Sequence, residues 1–354
     1  MRLLKAINQI RRILTQKLTK NIGNSNLNFT SNPKNKTNIK TVLIIRPNKR
    51  LGNLLLITPL IQDVINTFPD CKIDLLVKGN VAHAIFKNYD NINQIIQVPN
   101  KPLKQITKYI NSWLALRKKQ YDIVINVDKN SSSGRLATKF SNATYKFFGD
   151  FEDEIQLKNN DYKHIAKYPI FSFRNHLKQL GFPEKNNSFP FLNLKLSPLE
   201  IEEGKNILKE LVANNNKTIC IFTFATGEKC LSESWWEECY QKLKTTFPNY
   251  NIVEVLPYEN ISKIDFKAPT FYSKSIREIG SFIANTELFI GADSGIMHLA
   301  SATQTPTLGL FSVSDFYLNK YKPYNNNSLA IDTNEKSIDD ILEFVNKILV
   351  KSRA

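Results

Sequence analysis

Along the chain, short and almost wholly apolar runs alternate with stretches in which apolar residues recur every three to four positions. Thr41–Ile45 is such a run, and a helical pattern follows from about Leu54 to Phe68. Lys72–Val77 and Ile95–Val98 are the next two runs, a basic helical stretch spans about Leu103–Lys119, and Tyr121–Val127 is a fourth run. Runs that are apolar on both faces and separated by helices predict a doubly wound parallel sheet. Residues 149–165 are polar and irregular; helices are expected near Ile170–Leu180 and Pro198–Ala213.

A second series opens after Asn214–Lys217. Strands are expected at Thr218–Phe224, Asn251–Leu256, Leu288–Ile290 and Thr305–Phe311. Helices are expected at Glu233–Phe247, Ser275–Ala284, Ser294–Ala302 and Ile338–Leu349. The pattern divides the chain into residues 1–40, an N-terminal Rossmann-like domain at 41–213 and a C-terminal one at 214–354. Two such domains would hold a ligand at their strand C-termini, in the cleft between them.

Residues 1–20 place Leu3, Leu4, Ile7, Ile10, Leu14 and Leu18 on one helical stripe, with most basic residues opposite. One reading is an interfacial helix on an anionic membrane leaflet, worth roughly 1 kcal/mol per basic residue near the surface. The other is a helix docked on its own domain, or a basic tail. Residues 21–40, rich in Asn, Ser, Thr and Lys, read as a linker.

Charge sharpens this picture. The 354 residues carry 48 Lys/Arg against 32 Asp/Glu, a net +16, so an anionic partner is expected. Nine of the basic residues and none of the acidic ones fall in residues 1–40, which leaves +7 for the rest. No helix-turn-helix, zinc-finger or RNP-like pattern accompanies the charge, which argues against nucleic acid as the partner. The four cysteines form no C-x-x-C pair, so neither a disulfide scaffold nor a structural zinc site is expected. No spanning helix and no signal peptide is apparent. The body is expected in the cytoplasm, attached peripherally to the inner face of the cytoplasmic membrane.

Three segments carry candidate chemistry. In Phe289–Ala300 (FIGADSGIMHLA) a strand enters a polar turn and then a helix near Ser294. Gly295 lets a ligand approach the backbone, the helix N-terminus favours an anion, and Asp293 or Ser294 can cap it. An ordinary capped turn, with His298 a satisfied helix histidine, is the plainer reading. In Ile221–Lys229 (IFTFATGEK), Thr226, the Gly227 amide and Lys229 could grip a diphosphate, or form a surface turn. In Ile45–Pro59 (IRPNKRLGNLLLITP), Arg46, Lys49 and Arg50 form a basic lip suited to carboxylates or phosphates. That segment has one glycine, Gly52, and matches neither dinucleotide nor Walker patterns.

Together the three segments resemble the heptosyltransferases of glycosyltransferase family 9. Ile45-Arg46, Gly52-Asn53 and Leu55–Pro59 follow that family's first motif, I-R-x-x-x-x-G-D-x-L-L-x-T-P, with a loop one residue longer. Asp293–Phe311 follows D-S-G-x-x-H-x-A and then T-P-T-x-x-L-F, and Phe68–Leu76 is similar to the second-strand signature. The resemblance covers about residues 40–349. It implies a GT-B fold and an inverting, metal-independent transfer, with no cofactor, from a nucleotide sugar, typically ADP-heptose, to a lipopolysaccharide core acceptor. On this likeness Thr226, Gly227, Lys229, Asp293, Ser294, Gly295 and His298 would surround the donor, Glu259 would meet its ribose, and Arg46, Lys49, Arg50 and Gly52 would face an anionic glycolipid acceptor.

One departure bears on catalysis. The family's Gly-Asp, whose aspartate is the expected general base, is Gly52-Asn53 here. A neutral amide cannot take a proton from a hydroxyl, and loss of a general base costs about 10²–10⁴-fold. Asp128, at the exit of strand 121–127, is the candidate substitute, with a turn or helix cap as its plainer role. The alternative is an impaired family member that binds nucleotide sugar or acceptor without transfer.

Overall fold

The computed structural model describes residues 17, 19, 22–23, 39–99, 105–150, 160–184 and 187–351. Two parallel sheets organise it. The first comprises β1 (Thr41–Ile45), β2 (Lys72–Lys78), β3 (Ile92–Val98), β4 (Gln120–Asn126) and β5 (Asn142–Phe147), in the order β3-β2-β1-β4-β5. Its helices are α1 (Leu51–Leu55), α2 (Thr58–Thr67), α3 (Val81–Ile85), α4 (Ile106–Lys118), α5 (Ser132–Phe140) and α6 (Tyr168–Gln179). After α7 (Pro198–Val212) the second sheet comprises β6 (Lys217–Phe222), β7 (Tyr250–Val255), β8 (Thr270–Phe271), β9 (Leu288–Ala292), β10 (Thr307–Phe311) and β11 (Leu329–Asp332). Its order is β11-β10-β9-β6-β7-β8, and its helices are α8 (Glu233–Thr246), α9 (Ile276–Ile283), α10 (Gly295–Ala302), α11 (Asp315–Tyr321) and α12 (Ile338–Lys351).

In each sheet the strand order reverses between two central strands, β1 and β4 in the first, β6 and β9 in the second. Central strands are buried on both faces, as the apolar runs TVLII, LFIGA and TLGLF require. The crevice at such a reversal is where open α/β sheets bind ligands. It places Arg46 and Asp128 at one switch point and Thr223 and Asp293 at the other.

The two units share a core. One apolar cluster runs from Ile44 and Leu60 through Leu192 and Leu194 into Phe222, Phe282 and Met297. The extended segment 189–197 is bonded to both sides. Gln62 donates to the Phe191 carbonyl (2.8 Å), Tyr89 to that of Asn193 (2.7 Å) and Asn88 to that of Lys195 (2.7 Å). Facing the second unit, the Leu194 amide donates to the Ala302 carbonyl (2.8 Å). Helix α7 packs on α9 so closely that a Cβ on Gly204 would lie 2.3 Å from the Ser281 backbone. The boundary expected at 213/214 therefore divides one packed layer, and the crossing between units lies earlier, at 189–197.

The helix expected at about 54–68 is two helices. Pro59 lacks the N–H that would continue the first, and Thr58 Oγ1 donates to the Leu55 carbonyl (2.8 Å) at the break. Most of residues 1–20 and of the linker 21–40, and residues 151–159, lie outside the described residues. Lys17 and Thr19 are helical. Thr19 donates to Ser132 Oγ (2.8 Å), and Arg135 donates to the carbonyls of Ile22 (3.2 Å) and Gly23 (2.5 Å). Among the described residues no helix is long and apolar enough to cross a membrane.

Candidate functional site

At the first switch point Arg46 follows β1 and is buried. Its Nη1 donates to Asp128 Oδ2 (2.7 Å) and its Nη2 to Asn53 Oδ1 (2.9 Å). Asp128 Oδ1 accepts from the Asn130 amide (3.0 Å), so the aspartate also shapes the turn after β4. Asn53 Oδ1 thus accepts from the guanidinium, and its NH2 group adds two donors to the site. Lys49 and Arg50 are exposed on the loop ahead of α1. Beside this loop a cavity of about 120 Å³ opens between the sheet, α4 and α5, lined by Pro47, Leu76, Lys78, Val98, Trp113 and Ala137 among others.

At the second switch point Asp293 ends β9 and is buried. Lys229 Nζ donates to its Oδ2. Burial pushes the Asp293 carboxyl above the usual carboxylate range, and Lys229 holds it partly down. Lys229 also lies over the rings of Tyr317 (5.5 Å) and Tyr321 (5.6 Å), a pair of stacked tyrosines on α11. Thr226 is exposed, and Gly227 opens the turn with φ +68° where only glycine is unstrained. Ser294 is the N-cap of α10 and accepts from the Met297 amide (3.2 Å).

The two switch points meet at two glycines. A Cβ on Gly52 would lie 2.7 Å from the His298 ring and 3.5 Å from Gly295 Cα; one on Gly295 would lie 3.4 Å from the Gly52 amide nitrogen. The first turns of α1 and α10 thus touch, and their positive ends converge at the rim shared by Arg46 and Lys229. Gly52 and His298 serve this contact. His298 is fully buried, with Nδ1 unpartnered, and burial and Lys229 hold its imidazole down to about 3, so it is neutral at physiological pH.

Glu259 lies exposed in the turn after β7, away from any pairing that fixes it. A carboxylate that periodicity could not flag, Glu254, anchors that turn. It is buried, accepts from Thr223 (2.5 Å) and Ser262 (2.6 Å), and is pushed upward by desolvation. Tyr317 and Tyr321 were also not foreseen, since a seven-residue exposed helix gives no apolar period. Trp236 is fully buried in the apolar cluster that holds Ile219 and Ile221 of β6. Among the described residues no group of three or more His, Cys, Asp or Glu could hold a metal ion.

The strand–turn–helix around Asp293 is also where the chain's sequence matches a known family: residues 273–341 fit the family model of glycosyltransferase family 9 (heptosyltransferase). Over this segment the chain is similar to glycosyltransferase family 9. It is 23% identical over 294 residues to lipopolysaccharide heptosyltransferase 3 of Escherichia coli, covering 78% of this chain and 85% of that protein. Among solved structures it superposes on a family 9 glycosyltransferase from Veillonella parvula with a TM-score of 0.66 and 16% identity, over 88% of this chain and 97% of the other. It also superposes on E. coli heptosyltransferase WaaC with ADP, with a TM-score of 0.60 and 16% identity, over 87% and 99%. The two sheets and the cleft between them are the GT-B fold of these family 9 glycosyltransferases.

Proposed function

We propose that this chain is a family 9 glycosyltransferase that moves a sugar, heptose from ADP-heptose, onto an anionic lipopolysaccharide-core acceptor at the inner face of the cytoplasmic membrane. The N-terminus of α10 with Lys229 beside it supports it, because a diphosphate leaving group needs fixed positive charge and free N–H donors as its bond to the sugar breaks. Thr226, the Gly227 amide, Lys229 and the first turn of α10 hold the diphosphate. Binding at Lys229 exchanges the ammonium's contact with Asp293 for the phosphate. Ser294 and Gly295 set that helix end, and Glu259, exposed in the turn after β7, takes the ribose hydroxyls. Arg46, Lys49 and Arg50 receive the acceptor's negative groups.

Asp128 takes the acceptor proton in place of the missing aspartate at position 53. It sits on the same guanidinium as Asn53, keeps about a third of its side chain exposed and has lone pairs beyond those used by Arg46 and Asn130. The acceptor oxygen attacks the anomeric carbon as the carbon–oxygen bond to the diphosphate breaks, and the proton passes to the Asp128 carboxylate.

The Asn53 amide supports a second reading, a member that binds nucleotide sugar or acceptor without transfer. Calorimetric titration with a nucleoside-diphosphate series, followed by a transfer assay with the best binder, separates them. ADP-selective binding with transfer supports the enzyme; binding without turnover on any acceptor supports the second reading. Absence of nucleotide binding removes the enzyme and the nucleotide-sugar form of the second reading.

A further inference from the structure

Helix α4 presents an unusual outer face. Ile110 and Leu114, one turn apart, are each 49% exposed, and so is Phe140 at the end of α5. The three form one patch: Trp113 beside Leu114 meets Phe140 edge-on at 5.4 Å. Exposed Lys108, Arg117, Lys118 and Lys139 border it. Lys146 donates to the Lys139 carbonyl (3.0 Å), and Arg117 is near enough to help lower its affinity for a proton.

Lys119 is paired with Asp74 (2.8 Å), but among the described residues Lys108, Arg117, Lys118 and Lys139 pair with no carboxylate. Residues 99–149 contain ten Lys/Arg and two Asp. One of the two, Asp122, is bound by the Lys40 and Thr41 amides (2.8 Å each); the other, Asp128, is held by Arg46. An apolar stripe rimmed by cations that pair with no carboxylate among the described residues is the pattern of a helix lying in an anionic lipid interface. The described N-terminal residues Thr19, Ile22 and Gly23 are fastened to Ser132 and Arg135 at the start of α5, the helix whose far end carries Phe140.

We infer that the outer face of α4 with the end of α5, centred on Ile110, Leu114 and Phe140, is a docking surface for an anionic lipid bilayer, additional to residues 1–20. Its use in delivering a lipid-linked acceptor rests on the function proposed above; the surface itself does not.

The test is co-sedimentation of the full chain with phosphatidylglycerol/phosphatidylcholine vesicles and with pure phosphatidylcholine vesicles. Combined Lys108→Ala, Arg117→Ala and Lys118→Ala should lower partition onto the anionic vesicles about 10²-fold. Combined Ile110→Ser and Leu114→Ser should lower it about 10-fold or more. Near-ultraviolet circular dichroism and ADP affinity report folding; if one variant misfolds, the other decides. Wild-type partition in the folded variants, or equal binding of the wild-type chain to phosphatidylcholine alone, would overturn the inference. Variants that keep vesicle binding but lose heparin binding would assign the surface to a soluble polyanion instead. Lost vesicle binding in a chain that transfers no sugar leaves the surface standing and removes the transferase reading; unchanged vesicle binding with normal transfer to a soluble acceptor does the reverse.

Discussion

Asn53 and Asp128 meet on the two Nη atoms of one buried guanidinium, that of Arg46. Position 53 and the candidate substitute base, 75 residues apart, are therefore neighbours across one planar fork. Arg46→Lys keeps the charge but loses the two-way grip. Turnover is expected to fall about 10-fold or more, with ADP affinity within twofold of wild type, because Arg46 stands on the acceptor side. Equal losses in both quantities would place Arg46 on the donor instead.

That neighbourhood was not legible in the chain. Strand β1 and the cap at Ser294 were, since an unbroken apolar run and an Asp-Ser-Gly turn after a strand are local signals. Strand β5 and helices α5 and α11 were not foreseen. Asn142–Phe147 mixes polar and apolar residues at a sheet edge, and α5 opens on three serines and a glycine. The pairings Arg46–Asp128 and Lys229–Asp293 join different strand exits, so no spacing rule reaches them. Gly52 was expected to face the acceptor; the side chain its missing Cβ makes room for, that of His298, lies far along the chain.

Gly52→Ala sets a Cβ 2.7 Å from that ring. Overpacking of this kind costs about 1–3 kcal/mol, read as a lower denaturation midpoint in urea. Adding His298→Ala should recover part of the loss, since the two residues share one contact. Strict additivity of the two changes would show that the contact is not the source.

Lys229→Ala removes the cation from the donor rim and the only group that holds the Asp293 carboxyl down. ADP affinity should fall about 10–100-fold at pH 7.5, the worth of a charge-assisted hydrogen bond. Without the ammonium, burial raises Asp293 further, and its charged form repels the diphosphate. Binding by the variant should therefore recover as pH falls and Asp293 takes up a proton, more steeply than in wild type. A flat pH profile in calorimetry would show that Asp293 does not face the nucleotide.

The units are tied by Arg277. It donates to Glu200 Oε1 (2.5 Å) and Oε2 (2.7 Å), and to the carbonyls of Ala84 (2.9 Å), Leu194 (3.2 Å) and Lys195 (3.0 Å). Hydrogen bonding to Arg277 holds the Glu200 carboxyl well below its ordinary range. A depressed folded-state value contributes stability above the unfolded value of about 4.3, and that contribution is lost as pH falls below it. Glu200→Gln should cost about 1–3 kcal/mol at pH 7 by leaving Arg277 its carbonyl partners but no opposite charge. Its penalty should shrink between about pH 4.5 and 3, measured by urea midpoints; a pH-independent penalty would contradict the linkage.

The measurement that bears most directly on the account is sugar transfer from ADP-heptose, in wild type, in Asp128→Asn and in Asp128→Asn combined with Asn53→Asp. Active wild type, a loss of about 10²–10⁴-fold in the single variant and recovery in the double variant are expected, because a carboxylate returns to the same guanidinium. Wild-type turnover by Asp128→Asn would contradict the assignment of the base, and no transfer by wild type alongside transfer by Asn53→Asp alone would show a member that has lost catalysis at position 53.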